Sequence, residues 1–325
     1  MIIKKICILG GTGFVGCTLS NRLTRDGYQL KVLTRSREKH KTNLILLPGL
    51  DLVEADVHDP KQLNDNFSGC DAVINLVGIL NERGRNGKGF HNIHVELAQK
   101  VIEACRETGI KRILHMSALN ADAESGPSFY LKSKGQAEDL VHAASKHGIL
   151  VTSFRPSVIF GHHDSFFNRF AKLLKISPCL FPLACPDSKF SPVYVEDVAE
   201  AFARTLDNPV SYGKCYELCG PHTYSLQSLV EYTARQTGIH RIIIPLDDLI
   251  SRIQAAICDF IPGKPFSTDN YLSARGDSIC TTNGLQELGI TPVALEAVVP
   301  QYLSNHFQRA RYNIFRSESR RINQN

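Results

Sequence analysis

Tyr130 and Lys134 stand four residues apart in the stretch FYLKSKGQAE, residues 129–138. On a helix that spacing stacks a phenol and an ammonium on one face. An ammonium beside a phenol favours the phenolate and lowers a pKa that starts at about 10. The pair could therefore move a proton. It could equally be kept to hold a nucleotide. Spacing alone does not choose between these, and everything turns on where in the fold the pair sits.

The second chemical feature is ILGGTGFVG, which satisfies GxGxxG from Gly11 and GxxGxxG at Gly10, Gly13 and Gly16. Glycine lets a backbone turn sharply and approach a pyrophosphate, which a helix N-terminus then attracts. Gly10, Thr12, Gly13, Phe14, Val15 and Gly16 are thus candidate cofactor-binding residues. A later strand ends in LTRSR, where a site selecting NAD(H) usually has Asp or Glu for the ribose 2′-hydroxyl. Arg35, with Arg37 close by, suits a 2′-phosphate in charge and planar geometry. NADP(H) is therefore favoured over NAD(H), although either arginine could simply face solvent. EADVHD offers Asp56 to an adenine amino group with Val57 packed on the ring. NLVG places Val77 and Gly78 beneath the nicotinamide-side ribose. GHHD suggests a metal site at His162, His163 and Asp164, but adjacent histidines point apart and no further ligand cluster is evident. A loop capping the following helix is the better reading, and no metal is expected.

The elements that must position these residues are legible in the hydrophobic rhythm. KKICILG, QLKVLTR, LDLVEADV, DAVINLVG, KRILHMSA and ILVTSFRPSVIFG read as six strands. Between them lie helical faces, with Phe14, Leu19 and Leu23 on one and Ile93, Leu97, Val101 and Cys105 on another. Near-continuous apolar strands alternating with helices require a parallel sheet covered on both faces. The fold class is therefore α/β, a doubly wound Rossmann sheet with a smaller C-terminal lobe. The dinucleotide-binding domain is expected over 1–160, with 190–207 packing back onto it. The mixed α/β lobe is expected over 161–325. In that lobe FFNRFAKLLK, VEDVAEAFARTL, SLQSLVEYTARQTG and LDDLISRIQAAICDFI read as helices, with RIIIPL a strand between the last two.

Bulk properties exclude more than they assign. The chain has 325 residues, 43% hydrophobic and 21% charged, and a net charge of +5, too mild to argue for nucleic acid. Its ten cysteines are dispersed, with no CxxC or zinc spacing, and are expected to be free thiols in a reducing compartment. No 18-residue apolar run exists, and the apolar N-terminus runs straight into the glycine loop as a strand rather than a secretion signal. A cytoplasmic protein, peripheral to an inner membrane if attached at all, is expected.

With these parts in order, the first 220 or so residues resemble the short-chain dehydrogenase/reductase superfamily. The resemblance rests on GGTGFVG, Asp56–Val57, Asn75–Gly78, Tyr130/Lys134, RPSVIFG with Pro156, and PVYVEDVAEAF, which is similar to the extended and atypical, epimerase/dehydratase-like branches. A narrower resemblance spans nearly the whole chain. SALNADAESGPSFYLKSKGQAE, RPSVIFGHHDSFFNRFAKL and LQELGITPVALE are similar to the nucleotide-binding accessory subunits of respiratory complex I and their bacterial relatives. In active superfamily members the tyrosine is the general acid/base, the lysine grips ribose hydroxyls, and a Ser or Thr orients the substrate carbonyl. Ser117 is the candidate for that third role, but active members often carry the hydroxyl one or two places later, where this chain has Ala118 and Leu119. Ser125 and Ser128 are the substitutes if the loop folds back. The triad is incomplete or shifted, which fits an accessory subunit that keeps its nucleotide. The alternative is an active NAD(P)-dependent oxidoreductase, epimerase or dehydratase. Complex I subunits or a membrane-bound partner are the expected associates. The helix face Leu249, Ile250, Ile253, Ile257 and Ile261, with the basic tail Arg309, Arg311, Arg316, Arg320 and Arg321, is the candidate surface for them. That face could equally pack on its own lobe.

Overall fold

A computed structural model describes residues 2–44 and 46–304; the five tail arginines lie outside the described residues. Six strands follow the expected rhythm: β1 (Lys5–Leu9), β2 (Gln29–Thr34), β3 (Leu50–Glu54), β4 (Ala72–Asn75), β5 (Arg112–Met116) and β6 (Leu150–Pro156). The strand Cys215–Leu218 pairs with β6 and completes a seven-stranded sheet in the order β3-β2-β1-β4-β5-β6-(215–218). Every pair is parallel. The chain order reverses between β1 and β4, and at such a switch point the carboxyl ends of the strands open a crevice for a ligand.

Two compact units account for the chain. The first comprises Met1–Pro156, Val195–Leu218 and Cys280–Thr291; the second Ser157–Tyr194, Cys219–Ile279 and Pro292–Asn325. In the first unit alternate strand residues serve opposite faces. Cys7, Leu9, Val73, Ile113 and Val151 are buried in one cluster with Leu63, Phe67, Leu97, Val101 and Val141 of the covering helices. On the other face lies helix α1 (Phe14–Arg25), which packs against the helix Val195–Thr205, with Arg22 Nε donating to Glu200 at 2.6 Å. Phe154 of β6 stacks on Phe202 of that second helix at 3.9 Å between centroids. Both faces of the sheet are thus covered, which is why its strands read as almost uninterrupted apolar runs.

α1 starts hard against the loop after β1. A Cβ at Gly16 would lie 2.4 Å from the Gly11 Cα and 2.5 Å from the Gly10 carbonyl oxygen. Only glycine permits that approach, and it fixes where the helix N-terminus points.

In the second unit, two short strands, Leu180–Leu183 and Ile242–Pro245, pair in parallel. The helices Phe167–Ile176, Leu226–Thr237 and Leu295–Leu303 surround a core containing Phe160, Phe167, Leu174, Leu229, Val230 and Val299. Asp164 accepts the Tyr302 hydroxyl at 2.6 Å and the Asn168 amide at 3.2 Å, so the GHHD loop braces a helix start. Among the described residues no cluster of metal-ligating side chains occurs. The free-thiol expectation needs one correction. Eight cysteines are free, but Cys219 and Cys280 are disulfide-bonded. A bridge depends on the approach of two Cα atoms in space, which sequence spacing does not reveal.

Arg112, at the first position of β5, is fully buried. Its guanidinium donates to the carbonyls of Leu206 (2.9 Å), Leu150 (3.1 Å) and Thr205 (2.6 Å), and to the hydroxyls of Thr152 and Ser211. Burial lowers its pKa to about 10. It ties β5 and β6 to the segment that leads to the seventh strand. Arg112→Met is expected to cost about 3 kcal/mol, because it strands several buried acceptors. Chemical denaturation should show a lower midpoint at unchanged slope. Nucleotide affinity should survive, since Arg112 sits at the opposite end of β5 from the crevice.

Candidate functional site

The loop after β1 supplies the first part of the site. Gly13 caps α1 without any side-chain cap, is exposed, and donates its amide to the Gly10 carbonyl at 3.0 Å. The first turn of this 12-residue helix carries no acidic residue. Its free amides and positive dipole end thus present an uncapped anion cradle. Thr12, Phe14 and Val15 are half-buried around it.

Next to it, β2 ends at buried Thr34, with Arg35 and Arg37 exposed beyond. The Arg37 amide donates to the Glu54 carboxylate at 2.9 Å, so the acid at the end of β3 is engaged by backbone. Asp56 is exposed and accepts the His58 amide at 2.9 Å, while Val57 is buried behind it. After β4, the Val77 amide donates to the Asn75 side chain at 3.1 Å, which fixes the turn leading to Gly78.

Lys134 and Tyr130 lie on the helix Phe129–Ala143, which Ser128 opens by accepting the Leu131 amide at 3.1 Å. The Lys134 ammonium is buried and donates to the Met116 carbonyl at the end of β5, 3.0 Å away. A Cβ on Gly78 would lie 3.0 Å from that nitrogen, so glycine is what leaves room for the ammonium under the loop after β4. Glu138, one turn further along the helix, is bound through both oxygens by Arg155 Nε, each at 3.0 Å. Burial therefore dominates, and it lowers the Lys134 pKa to about 8.

Two histidines that the sequence patterns did not single out complete the chamber. His94 is buried within a π-helical turn, His91–Glu96. Such turns recur at functional sites. Its Nε2 accepts the Ile79 amide at 3.2 Å, so Nδ1 carries the proton and donates to Ser133 Oγ at 2.8 Å. Ser133 in turn donates to the Tyr130 carbonyl at 2.9 Å. This relay ties the loop after β4 to the Tyr130 helix. Burial first, and Lys134 second, depress the His94 pKa to about 2, so it is neutral. His115 on β5 is fully buried, its pKa is lowered to about 3 mainly by burial, and neither ring nitrogen has a hydrogen-bond partner among the described residues.

Ser117 follows β5 directly. Its hydroxyl is buried and also lacks a partner among the described residues. Ala118, Ala121 and Leu131 form an apolar cluster against which Tyr130 packs. The two fallback serines are committed elsewhere. Ser128 caps the helix, and Ser125 hydrogen-bonds Asp122 through both amide and side chain. Pro156 ends β6 and accepts the Leu119 amide at 3.1 Å, which holds this stretch in place. The structure thus gathers Lys134, Gly78, Met116 and His94 about one ammonium. The glycine cradle, Arg35 and Asp56 stand at the carboxyl ends of β1, β2 and β3.

Residues 6–219 match the family described as NAD dependent epimerase/dehydratase. The chain belongs to that family. It is homologous to the mitochondrial NADH dehydrogenase (ubiquinone) 1 alpha subcomplex subunit 9 of Rattus norvegicus, with 30% identity over 92% of this chain and 79% of that protein. It is 32% identical to a ceramide reductase of Caulobacter vibrioides over 62% of this chain and 61% of that protein. A nucleoside-diphosphate-sugar epimerase from Staphylococcus aureus has the same fold, with a TM-score of 0.71 at 19% identity, covering 91% of this chain and 99% of that one. Family membership implies a nucleotide cofactor, and the uncapped α1 terminus and the orphaned Ser117 hydroxyl fit one. Gly10, Gly13 and Gly16 would cradle it and Lys134 would donate to it. It would supply hydride chemistry, while Tyr130 could hold or move a proton.

The ammonium and the phenol are separable. Tyr130→Phe should leave nucleotide affinity within about twofold, because the ring packing survives. Lys134→Ala should weaken it by about tenfold or more, because a charge-assisted donor is lost. Calorimetric titration of both variants reads this; equal affinity for Lys134→Ala would contradict the assignment.

Proposed function

We propose that this protein is an accessory subunit of a complex I-type respiratory assembly that holds NADP(H) without turning it over. The observation that carries this reading is the apolar setting of Tyr130. Where a carbonyl-orienting hydroxyl would serve, Ala118 and Leu119 stand instead, and Tyr130 packs on Ala118, Ala121 and Leu131. A carbonyl placed there gains no donor from residues 118 or 119, and Ser125 and Ser128 are otherwise bonded. Lys134 and the glycine cradle, in contrast, retain everything needed to grip a nucleotide. Homology to mitochondrial complex I subunits over nine-tenths of the chain supports the same role.

The exposed Arg35 favours NADP(H), its guanidinium meeting a 2′-phosphate at the tip of β2. Glu54 does not compete, being held by the Arg37 amide. A second reading, reduction of a lipid-like carbonyl, draws on the ceramide reductase relative and on the intact Tyr130/Lys134 pair. In that case Ser117 supplies the orienting hydroxyl.

Purified protein should carry NADP(H) at close to one equivalent and should not oxidise NADPH with ketone substrates. Nucleotide extraction and steady-state assay measure this, and turnover abolished by Tyr130→Phe would establish the second reading instead. Arg35→Asp should weaken NADPH binding by about tenfold or more and change NADH binding little. Parent protein that binds NADH as tightly as NADPH would remove the assigned preference.

A further inference from the structure

The helix Asp248–Cys258 in the second unit is turned inside out. Its buried residues are Ser251 and Ala255, small and close to one another on the helix wheel. At about 100° per residue, Leu249, Ile250, Ile253 and Ile257 fall on the opposite side. They are exposed by 67%, 47%, 51% and 60%. Phe260 and Ile261 extend the exposed apolar surface past the helix end. An isoleucine-rich stripe facing water, above a small buried face, is the reverse of what packing within a domain produces.

The surface continues onto the neighbouring ribbon. Gln254 donates to the Pro182 carbonyl at 3.1 Å, which sets the strand Leu180–Leu183 beside the Ile250/Ile257 edge of the stripe. Leu180 and Ile242 are register partners, as are Pro182 and Ile244, and all four are exposed, whereas Phe181 and Leu183 point into the core. Ile176, at the end of the helix leading to the ribbon, is exposed as well.

We propose that this face is an interfacial membrane-docking surface that lies in the headgroup region of an anionic bilayer. Charge selects lipid over a protein partner. The exposed cations Lys172, Lys175 and Arg252 flank the face. The acids of its helix are bound internally: Asp247 accepts the Ile250 amide (2.8 Å), Asp248 the Tyr271 hydroxyl (2.7 Å) and Asp259 the Thr268 hydroxyl (2.6 Å). The sequence after this unit's final helix, 305–325, contributes five arginines against one glutamate. Aliphatic residues with a cationic margin suit a lipid interface. Protein interfaces favour aromatic and Met anchors, of which this face has only Phe260. No helix among the described residues is long and apolar enough to cross a membrane, so the attachment is peripheral. The inference does not depend on which cofactor the first unit holds.

The full chain should co-sediment with vesicles of phosphatidylcholine containing about a quarter phosphatidylglycerol or cardiolipin, and less with neutral vesicles or at high salt. The Ile253→Glu/Ile257→Glu double variant should lose at least about tenfold of this binding while keeping its circular dichroism and nucleotide affinity. The chain contains no tryptophan, so Ile257→Trp provides a single fluorophore whose emission should shift blue on adding vesicles and be quenched by bromolipid. Parent protein left in the supernatant, a double variant that sediments like the parent, or an unshifted emission from the Ile257→Trp variant would each overturn the proposal. So would a lipid-free dimer that the double variant dissociates, since the face would then join two copies of the chain.

Discussion

The site depends on one buried ammonium. Lys134 sits under the loop after β4 with its charge largely out of water, and the chamber around it follows from that. Its hydrogen bond is to a backbone carbonyl, that of Met116, rather than to a carboxylate. The nearest buried acid on its helix, Glu138, belongs to Arg155. The residue above it must be Gly78, because a side chain would occupy the ammonium's volume. The histidines beside it, His94 and His115, remain neutral, since a second cation in a desolvated pocket would oppose the first. A charge held this way has free energy to gain from an anionic or polyhydroxylated ligand. Nucleotide binding thus supplies partners that the folded chain alone does not.

The same constraint explains how the scaffold is built around the site. Lys134 reaches Met116 only if β5 ends where the Tyr130 helix begins its second turn. Arg112 secures the other end of β5, and the relay from Ile79 through His94 and Ser133 to the Tyr130 carbonyl fixes the helix against the loop after β4. Across the switch point, the contact of Gly16 with the loop after β1 aims the α1 amides at the same crevice. Cradle and ammonium are thereby held by rigid elements, while the apolar contacts of Tyr130 leave little polar machinery for a substrate. Tight holding and weak turnover are compatible outcomes of such a design.

The parts legible in the sequence were those whose chemistry is local. GGTGFVG encodes a turn and a helix start within seven residues, so both its place and its consequence could be read directly. The six strands were legible because a sheet buried on both faces leaves apolar runs that little else produces. The Ser117 question stayed open for a physical reason: a shift of one residue at a strand end changes where a hydroxyl points. His94 and His115 were invisible because a lone histidine among apolar residues reads as ordinary core, and only the fold brings them to Lys134. Arg112 was hidden likewise, since its acceptors come from segments as distant as Leu206 and Ser211. The Ile253/Ile257 stripe was periodic in sequence, but periodicity does not say which side of a helix faces the core.

The account is tested most directly by measuring NADPH affinity by calorimetry across pH 7 to about 10. Burial lowers the Lys134 pKa to about 8, and an anionic ligand favours the protonated form, so binding takes up a proton as the pH rises past that value. Affinity should be flat below about pH 7.5 and then fall with a slope approaching tenfold per pH unit. The two neutral histidines titrate far below this range and add nothing to it. In Lys134→Met the affinity should be lower throughout and the slope absent. A parent protein whose affinity does not change over that range, or a Lys134→Met variant with the same slope, would contradict a site organised around the buried ammonium.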